Sequence, residues 1–121
     1  MESLLDQDFG DSRNIQSILD CCELSPHLSI PIVSSKCWEI MDKLIDATLK
    51  PDTSSQWRSN VLQLGALLVT CVKPREVYLM AVEKLYFHKT GFTLHFLLFM
   101  LSNALNGIDD IKMYSSGLES W

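Results

Sequence analysis

The segment VLQLGALLVTCVKPREVYLMAVEKL, from Val61 to Leu85, decides the fold of this chain. Apolar residues recur at helical spacing in its first half, and the same spacing resumes after Lys73-Pro74. Pro74 has no amide hydrogen and its ring disfavours a helical Lys73, but proline fits the first turn of a new helix. The segment therefore predicts two helices that fold back on each other as a helical hairpin, the unit from which α-solenoids are built.

Length and composition set the class of protein. The 121 residues are 47% hydrophobic and 21% charged, which is typical of one globular domain. A net charge of −5 without a basic stripe disfavours binding to nucleic acid or to an anionic membrane. The first residues lack the pattern of a signal peptide, and the apolar window from Phe92 to Leu101 is too short to span a bilayer, so we expect a cytoplasmic protein.

Residues 1–34 predict a short helix followed by a proline-containing loop. The helix follows Asp11 or Ser12, either of which is a good N-cap, because apolar residues then recur at helical spacing. The stretch Glu23–Ser34 has two prolines and no helical period, which predicts a loop. A strand over Leu28–Val33 is the alternative, and Pro31 argues against it.

Residues 35–121 predict stacked helices. The first predicted helix runs from Lys36 to Leu49 with Ser35 as its cap, and the second runs from a Thr53–Gln56 capping box to about Val72. The third runs from Pro74 to about Phe87, and the fourth runs from Phe92 to a stop at Asn106-Gly107. A last segment is capped by Asp109 or Asp110. The last segment has no polar capping face, which indicates that the chain is part of a longer solenoid. The predicted fold is a single all-α domain, a HEAT- or armadillo-like α-solenoid fragment of stacked antiparallel helices.

Motifs for catalysis or metal binding are missing from the sequence. It has no glycine-rich phosphate loop and no GxSxG, HExxH or CxxC pattern. The four cysteines are predicted to be reduced, with one of the adjacent Cys21 and Cys22 buried and the other at the rim of the core. His88 and His95 are seven residues apart, which is not the spacing of paired helical ligands, so both are predicted to be core or rim residues. We expect no enzymatic activity, no cofactor and no bound metal.

Three residues are candidates for contact with a protein partner. Arg75 begins a predicted helix, where an exposed guanidinium anchors either a partner or a neighbouring repeat, although a role within the helix is favoured. Trp57 and Trp121 lie near helix ends, and tryptophan is common in binding hot spots. Tryptophan is also the usual filler between stacked helices, and this second interpretation is favoured.

Two short motifs carry a family resemblance. The first is Cys71–Val77 (CVKPREV), which leads into an aliphatic run, and the second is Lys112–Leu118 (KMYSSGL). With the apolar stretch Phe92–Leu105 between them, they resemble the N-terminal region of the glomulin family, which includes the plant aberrant-lateral-root-formation proteins. The resemblance covers about Cys37 to Trp121.

The resemblance implies an all-helical, HEAT-like repeat protein that is not an enzyme. Glomulin binds the RING subunit of cullin-RING ubiquitin ligases and masks the surface that recruits the ubiquitin-conjugating enzyme. That contact is made by C-terminal repeats beyond the residues matched here, so no RING-binding residue is assigned. The implied function is that of a non-catalytic adaptor that holds a partner and blocks or organises it.

Three alternatives remain open at this point. One is a generic HEAT or armadillo-like scaffold with unrelated partners. Another is a small helical enzyme that uses His95 and a carboxylate, and a third is a subunit whose apolar stretch Phe92–Leu105 is covered by another chain.

Overall fold

The computed structural model describes residues 2–49 and 54–114, and all regular secondary structure in this part of the chain is helical. The helices are α1 (Glu2–Leu5), α2 (Ser12–Leu24), α3 (Pro26–Ser35), α4 (Cys37–Thr48), α5 (Ser55–Thr70), α6 (Pro74–Phe87) and α7 (Gly91–Tyr114). The predicted all-α class is confirmed for these residues. None of the described helices is long and apolar enough to cross a membrane.

The central helix is α5, which packs against α2, α4 and α7. The most extensive contact between two described helices joins α6 to α7, whereas α5 and α6 touch each other little. The predicted hairpin between the two halves of Val61–Leu85 is therefore wrong in its packing, although both helices exist. The reason is that α2, α4 and α7 together cover the apolar side chains of α5, and α6 covers part of α7 instead.

The core lies between α2, α4, α5 and α7. Gly65 of α5 allows α7 to approach closely, since a Cβ atom at this position would lie 2.6 Å from Cε1 of Phe96. The largest fully buried side chains are Ile15, Ile18, Val33, Ile40, Met41, Leu44, Val61, Leu64, Leu68, Phe96, Leu97 and Met100.

The residues before α2 are fixed to the bundle by side chains of α4 and α5. Trp57 Nε1 donates a hydrogen bond to the carbonyl oxygen of Phe9 at 2.8 Å. Lys43 Nζ donates to the carbonyl oxygens of Leu5 and Gln7 and lies 4.2 Å from the centroid of the Phe9 ring. Because Leu5 and Phe9 are both buried, this segment is part of the core.

Helix α2 follows the prediction. Asp11 is its N-cap, and its carboxylate accepts a hydrogen bond from the amide of Arg13 at 2.9 Å. The same carboxylate forms an ion pair with the Arg13 guanidinium, and these hydrogen bonds hold the pKa of Asp11 below its ordinary value. The helix ends at Leu24, just before Ser25-Pro26.

The predicted loop Glu23–Ser34, and with it the alternative strand, is wrong, because α3 occupies Pro26–Ser35. Pro26 is at the first helical position, where no amide hydrogen is needed. Pro31 lies inside the helix on its exposed side, where water can satisfy the carbonyl group that loses its partner. Ser35 ends α3 and does not cap α4; Lys36 takes that position.

The start of α5 is shifted by one residue from the predicted capping box. Ser54 is the N-cap, and its hydroxyl accepts a hydrogen bond from the amide of Trp57 at 3.1 Å. Thr53, the predicted cap, lies outside the described residues. Gln56 donates to the side chain of Asn60 instead of returning to the cap.

Helix α7 continues through the predicted stop at Asn106-Gly107 to Tyr114. The prediction of a separate segment beginning at Asp109 or Asp110 is therefore wrong, because these residues continue α7 up to Tyr114. Glycine inside a helix costs only about 1 kcal/mol relative to alanine, which a long helix can absorb. Residues 115–121, which include Trp121 and the end of the second family motif, lie outside the described part.

Candidate functional site

Helix α6 lies at the edge of the described bundle. Its large packing contact is with α7. The buried residues Val77 and Ala81, one helical turn apart, form the side of α6 that faces the core. The opposite side of α6 is left without cover from the described residues.

That opposite side is apolar. Tyr78, Leu79, Val82 and Tyr86 are 43%, 57%, 47% and 72% exposed. Their spacing places them on one side of the helix, away from the core, and we call these four residues the outer face of α6. A helix at the surface of a globular protein normally carries polar residues on the side that faces solvent. Because α6 is apolar on this side as well, the outer face has the composition of a surface that binds another molecule.

Charged groups border the outer face. Arg75 is exposed in the first turn of α6, at one end of the face. Glu76 and Glu83 are exposed two helical turns apart along one flank. At the other end Lys89 Nζ lies 5.3 Å from the centroid of the Tyr86 ring. The face is thus an apolar stripe with two carboxylates along one side and a cation at each end.

Phe87 enlarges the end of the outer face at Tyr86, which we call its aromatic end. Its ring is exposed and meets the Tyr86 ring edge-on, with 5.2 Å between the centroids. Together with the four residues of the outer face, Phe87 exposes on the order of 500 Å² of mostly apolar surface, which is the size of the largest patch on a typical monomer and is often functional.

A cleft of about 400 Å³ begins beside Phe87. It lies between the α6–α7 turn and the adjoining ends of α4 and α5, and the cationic side chains of Arg58 and Lys89 line it together with His88. Two cationic side chains therefore lie beyond the aromatic end of the outer face, in contrast to the carboxylate flank.

Helix α7 adds a second exposed stripe. Leu98 and Leu105 are exposed, with exposed Ser102 between them and exposed His95 one turn before Leu98. Phe96, Leu97 and Met100 of the same helix are fully buried, whereas this stripe is not. The sequence has no Asp, Glu, Lys or Arg from Thr90 to Asn106.

The predicted contact residues occupy different places. Arg75 lies at the end of the outer face of α6, on the surface. Trp57 is 3% exposed, and its ring lies 5.6 Å from that of Phe92 between centroids. Trp57 thus acts as filler between helices, and its indole is not available to a partner at the surface. Trp121 lies outside the described residues.

The histidines and cysteines do not form a shared site. His88 follows α6, and His95 is exposed on α7 with its ring stacked at 5.8 Å on Phe92. All four cysteines are free, and Cys22 is buried while Cys21 is half-buried, as predicted. Within the described part of the chain, no three His, Cys, Asp or Glu side chains lie close enough together to hold a metal ion.

Cys37 is a buried thiol that the core keeps protonated. Its Sγ donates a hydrogen bond to the carbonyl oxygen of Leu68 at 3.4 Å. Burial, with a smaller contribution from Cys71, raises the pKa of Cys37 to about 11. Burial likewise raises the pKa of Cys22. A protonated thiol is a poor nucleophile and a poor metal ligand, so both residues serve packing.

The outer face of α6 was not predicted from the sequence. A signal for it was present: between Val77 and Phe87 the sequence has more apolar residues than one helical stripe can hold. Unusual apolarity was expected only of the stretch Phe92–Leu105.

Comparisons with protein-family models, with curated proteins and with solved structures find no match to this chain.

Proposed function

We propose that this chain is a non-catalytic helical-repeat adaptor of the α-solenoid type, HEAT- or armadillo-like, that binds another protein. Support for the repeat architecture comes from the order of packing. Three successive helix pairs, α2–α3, α4–α5 and α6–α7, each pack internally, and each packs on the next pair. Among the described residues, the first and third pairs have no large contact, which is the nearest-neighbour pattern of a solenoid.

The observation that carries the proposal is the outer face of α6. Binding surfaces of helical-repeat proteins are rows of side chains on rigid helices, and an apolar row with charged borders suits a protein partner. The borders provide specificity, and the apolar row provides the affinity. The net charge of −5 makes nucleic acid or an anionic membrane a poor partner for such a surface.

We further propose that the adaptor is related to the N-terminal part of glomulin. The motif Cys71–Val77 spans the turn after α5 and the first turn of α6, so the residues that carry the resemblance also position the outer face. On this proposal the chain is a cytoplasmic support for the regulation of cullin-RING ubiquitin ligases. The RING subunit is bound by regions beyond this chain.

A pull-down with purified RING subunit and cullin tests the family proposal. The baits are this chain and a version extended past Trp121 from its own transcript. We expect the extended version to retain the RING subunit and this chain alone to release it, because the family makes that contact through later repeats. If neither version retains the RING subunit, the glomulin proposal fails.

A generic HEAT- or armadillo-like scaffold with unrelated partners then takes its place. The outer face of α6 favours this second candidate as much as the first, because its exposure does not depend on the family motif. The two candidates differ only in the identity of the partner, which the pull-down decides.

A further inference from the structure

We propose that the outer face of α6 binds an amphipathic helix of another protein that carries basic residues along one edge of its apolar stripe. This inference rests on the proposed function, and it names the class of partner that the face takes. Four observations favour this occupant: the length of the face, its one-sided charge, its terminal arginine and the charge of the whole chain.

The dimensions of the face match those of a single helix. From Arg75 to Tyr86 the face is about 16 Å long at 1.5 Å per residue, which equals about three turns of a partner helix. Tyr78 and Leu79 are adjacent in sequence and so point about 100° apart, which makes the face as wide as one apolar helical stripe. A helix laid along α6 would cover Val82 at its centre, as in other complexes where an amphipathic helix binds an apolar surface.

The charge along the face is asymmetric. Glu76 and Glu83 are on the same flank, seven residues and about 10 Å apart along the helix. A partner helix with Lys or Arg at the same seven-residue spacing would place a cation beside each carboxylate. At the end of the face, Arg75 suits an acidic side chain or the carbonyl end of the partner helix.

The same charges argue against a second copy of this chain. Two α6 helices paired antiparallel about the middle of the face would bring Glu76 of one copy beside Glu83 of the other. Paired in parallel, they would bring Arg75 against Arg75. Both arrangements oppose like charges, and two chains of net charge −5 repel each other, whereas a basic helix is attracted.

The test uses a pair of synthetic peptides and measures binding by fluorescence polarisation. The first peptide is an amphipathic helix of about four turns with a leucine stripe and two lysines seven residues apart at its edge. The second peptide has glutamates in place of those lysines. We expect the intact chain to bind the lysine peptide at least about ten-fold more tightly than the glutamate peptide, with the difference shrinking as salt is added.

Variants of the chain locate the binding. Val82→Glu places a charge in the middle of the face and should weaken the lysine peptide at least about ten-fold. Reversing both flank charges, Glu76→Lys with Glu83→Lys, should invert the preference between the two peptides. The matched control reverses two exposed acidic residues of α4 that are also seven residues apart, Glu39→Lys with Asp46→Lys, and should leave the preference unchanged.

The outcomes separate this inference from the proposed function. If both peptides bind equally and Val82→Glu abolishes the binding of both, the inference of a basic partner is wrong, and the outer face of α6 remains a protein-binding surface. Binding of neither peptide would overturn both. An inversion of preference by the α4 control would also overturn the inference, because the attraction would then come from overall charge. Sedimentation velocity of the chain alone, from about 5 to 200 µM, must show a monomer, and a dimer lost in the Val82→Glu variant would assign the face to a second copy.

Discussion

Gly65 is the position at which the packing of α5 against α7 is most sensitive to one added carbon atom. A Cβ atom there would lie 2.6 Å from Cε1 and 3.1 Å from Cζ of the Phe96 ring, and 3.6 Å from Cγ of Met100. Phe96 and Met100 are completely buried, so the ring cannot relieve the clash by moving out into solvent. Gly65→Ala must therefore push the two helices apart or force the ring from its position.

Two opposing contributions set the size of the effect. Alanine in place of glycine inside a helix stabilises it by about 1 kcal/mol. Overpacking of a filled core costs about 1 to 3 kcal/mol. We therefore expect Gly65→Ala to lower the free energy of unfolding, by up to about 2 kcal/mol. For a domain of this length, that loss corresponds to a fall in Tm of up to about 8 °C.

A double-mutant cycle with Phe96→Leu isolates the contact. The leucine lacks Cε1 and Cζ, so in that background Gly65→Ala should raise the free energy of unfolding by about 1 kcal/mol. Urea unfolding followed by far-UV circular dichroism measures all four proteins. If Gly65→Ala stabilises the chain with Phe96 intact, or has the same effect in both backgrounds, the inference that α5 and α7 approach closely at Gly65 is wrong.

Three further predictions concern single side chains. Ser54→Ala should lower the free energy of unfolding by about 1 kcal/mol in urea denaturation, because it removes the acceptor for the Trp57 amide, and Ser54→Asp should retain most of that stability. Trp57→Phe removes the donor to the carbonyl of Phe9 and should speed hydrogen exchange in residues 2–11 by about ten-fold, whereas unchanged exchange there would contradict the tether. N-ethylmaleimide at pH 8 should modify half-buried Cys71 well before buried Cys37, as followed by mass spectrometry. Because burial raises the pKa of Cys37 from 9.0 to about 11, the stability that its protonated thiol gives should be lost as the pH rises from 9 to 11, and Cys37→Ala should lose less stability over the same range.

Local signals in the sequence were enough for the helices whose ends depend on one or two residues. Asp11 caps α2 because its side chain reaches an amide two residues ahead, and that geometry requires nothing from the rest of the chain. Pro74 likewise starts α6 by its own covalent structure. Such features are visible in any sequence that contains them.

Helices that depend on their surroundings were not predictable in this way. Pro31 is tolerated in α3 because it lies on the exposed side, and which side is exposed is known only after α3 has packed on α2 and α4. Gly107 lies inside α7, although glycine is the residue that most often follows a helix. At Pro31 the tertiary context outweighs the local preference.

The candidate site was predictable only in part for the same reason. Arg75 is exposed in the first turn of α6, as expected for an arginine after Pro74, and its contact with a partner stays a prediction. The outer face of α6 depends on which of its two apolar sides α7 covers, and that choice is made by packing across the bundle. Trp57 could have been on either side of α5, and its hydrogen bond to Phe9 shows why it is inside.

The most direct test of the account is to find where a bound helix lies on the chain. Methyl groups of leucine and valine are labelled, and their NMR signals are followed while the lysine peptide is added. We expect the signals of Leu79 and Val82 to move, while those of the fully buried Leu44 and Val61 stay in place. If the peptide binds and the signals of Leu79 and Val82 do not move, the outer face of α6 is not the protein-binding surface of this chain.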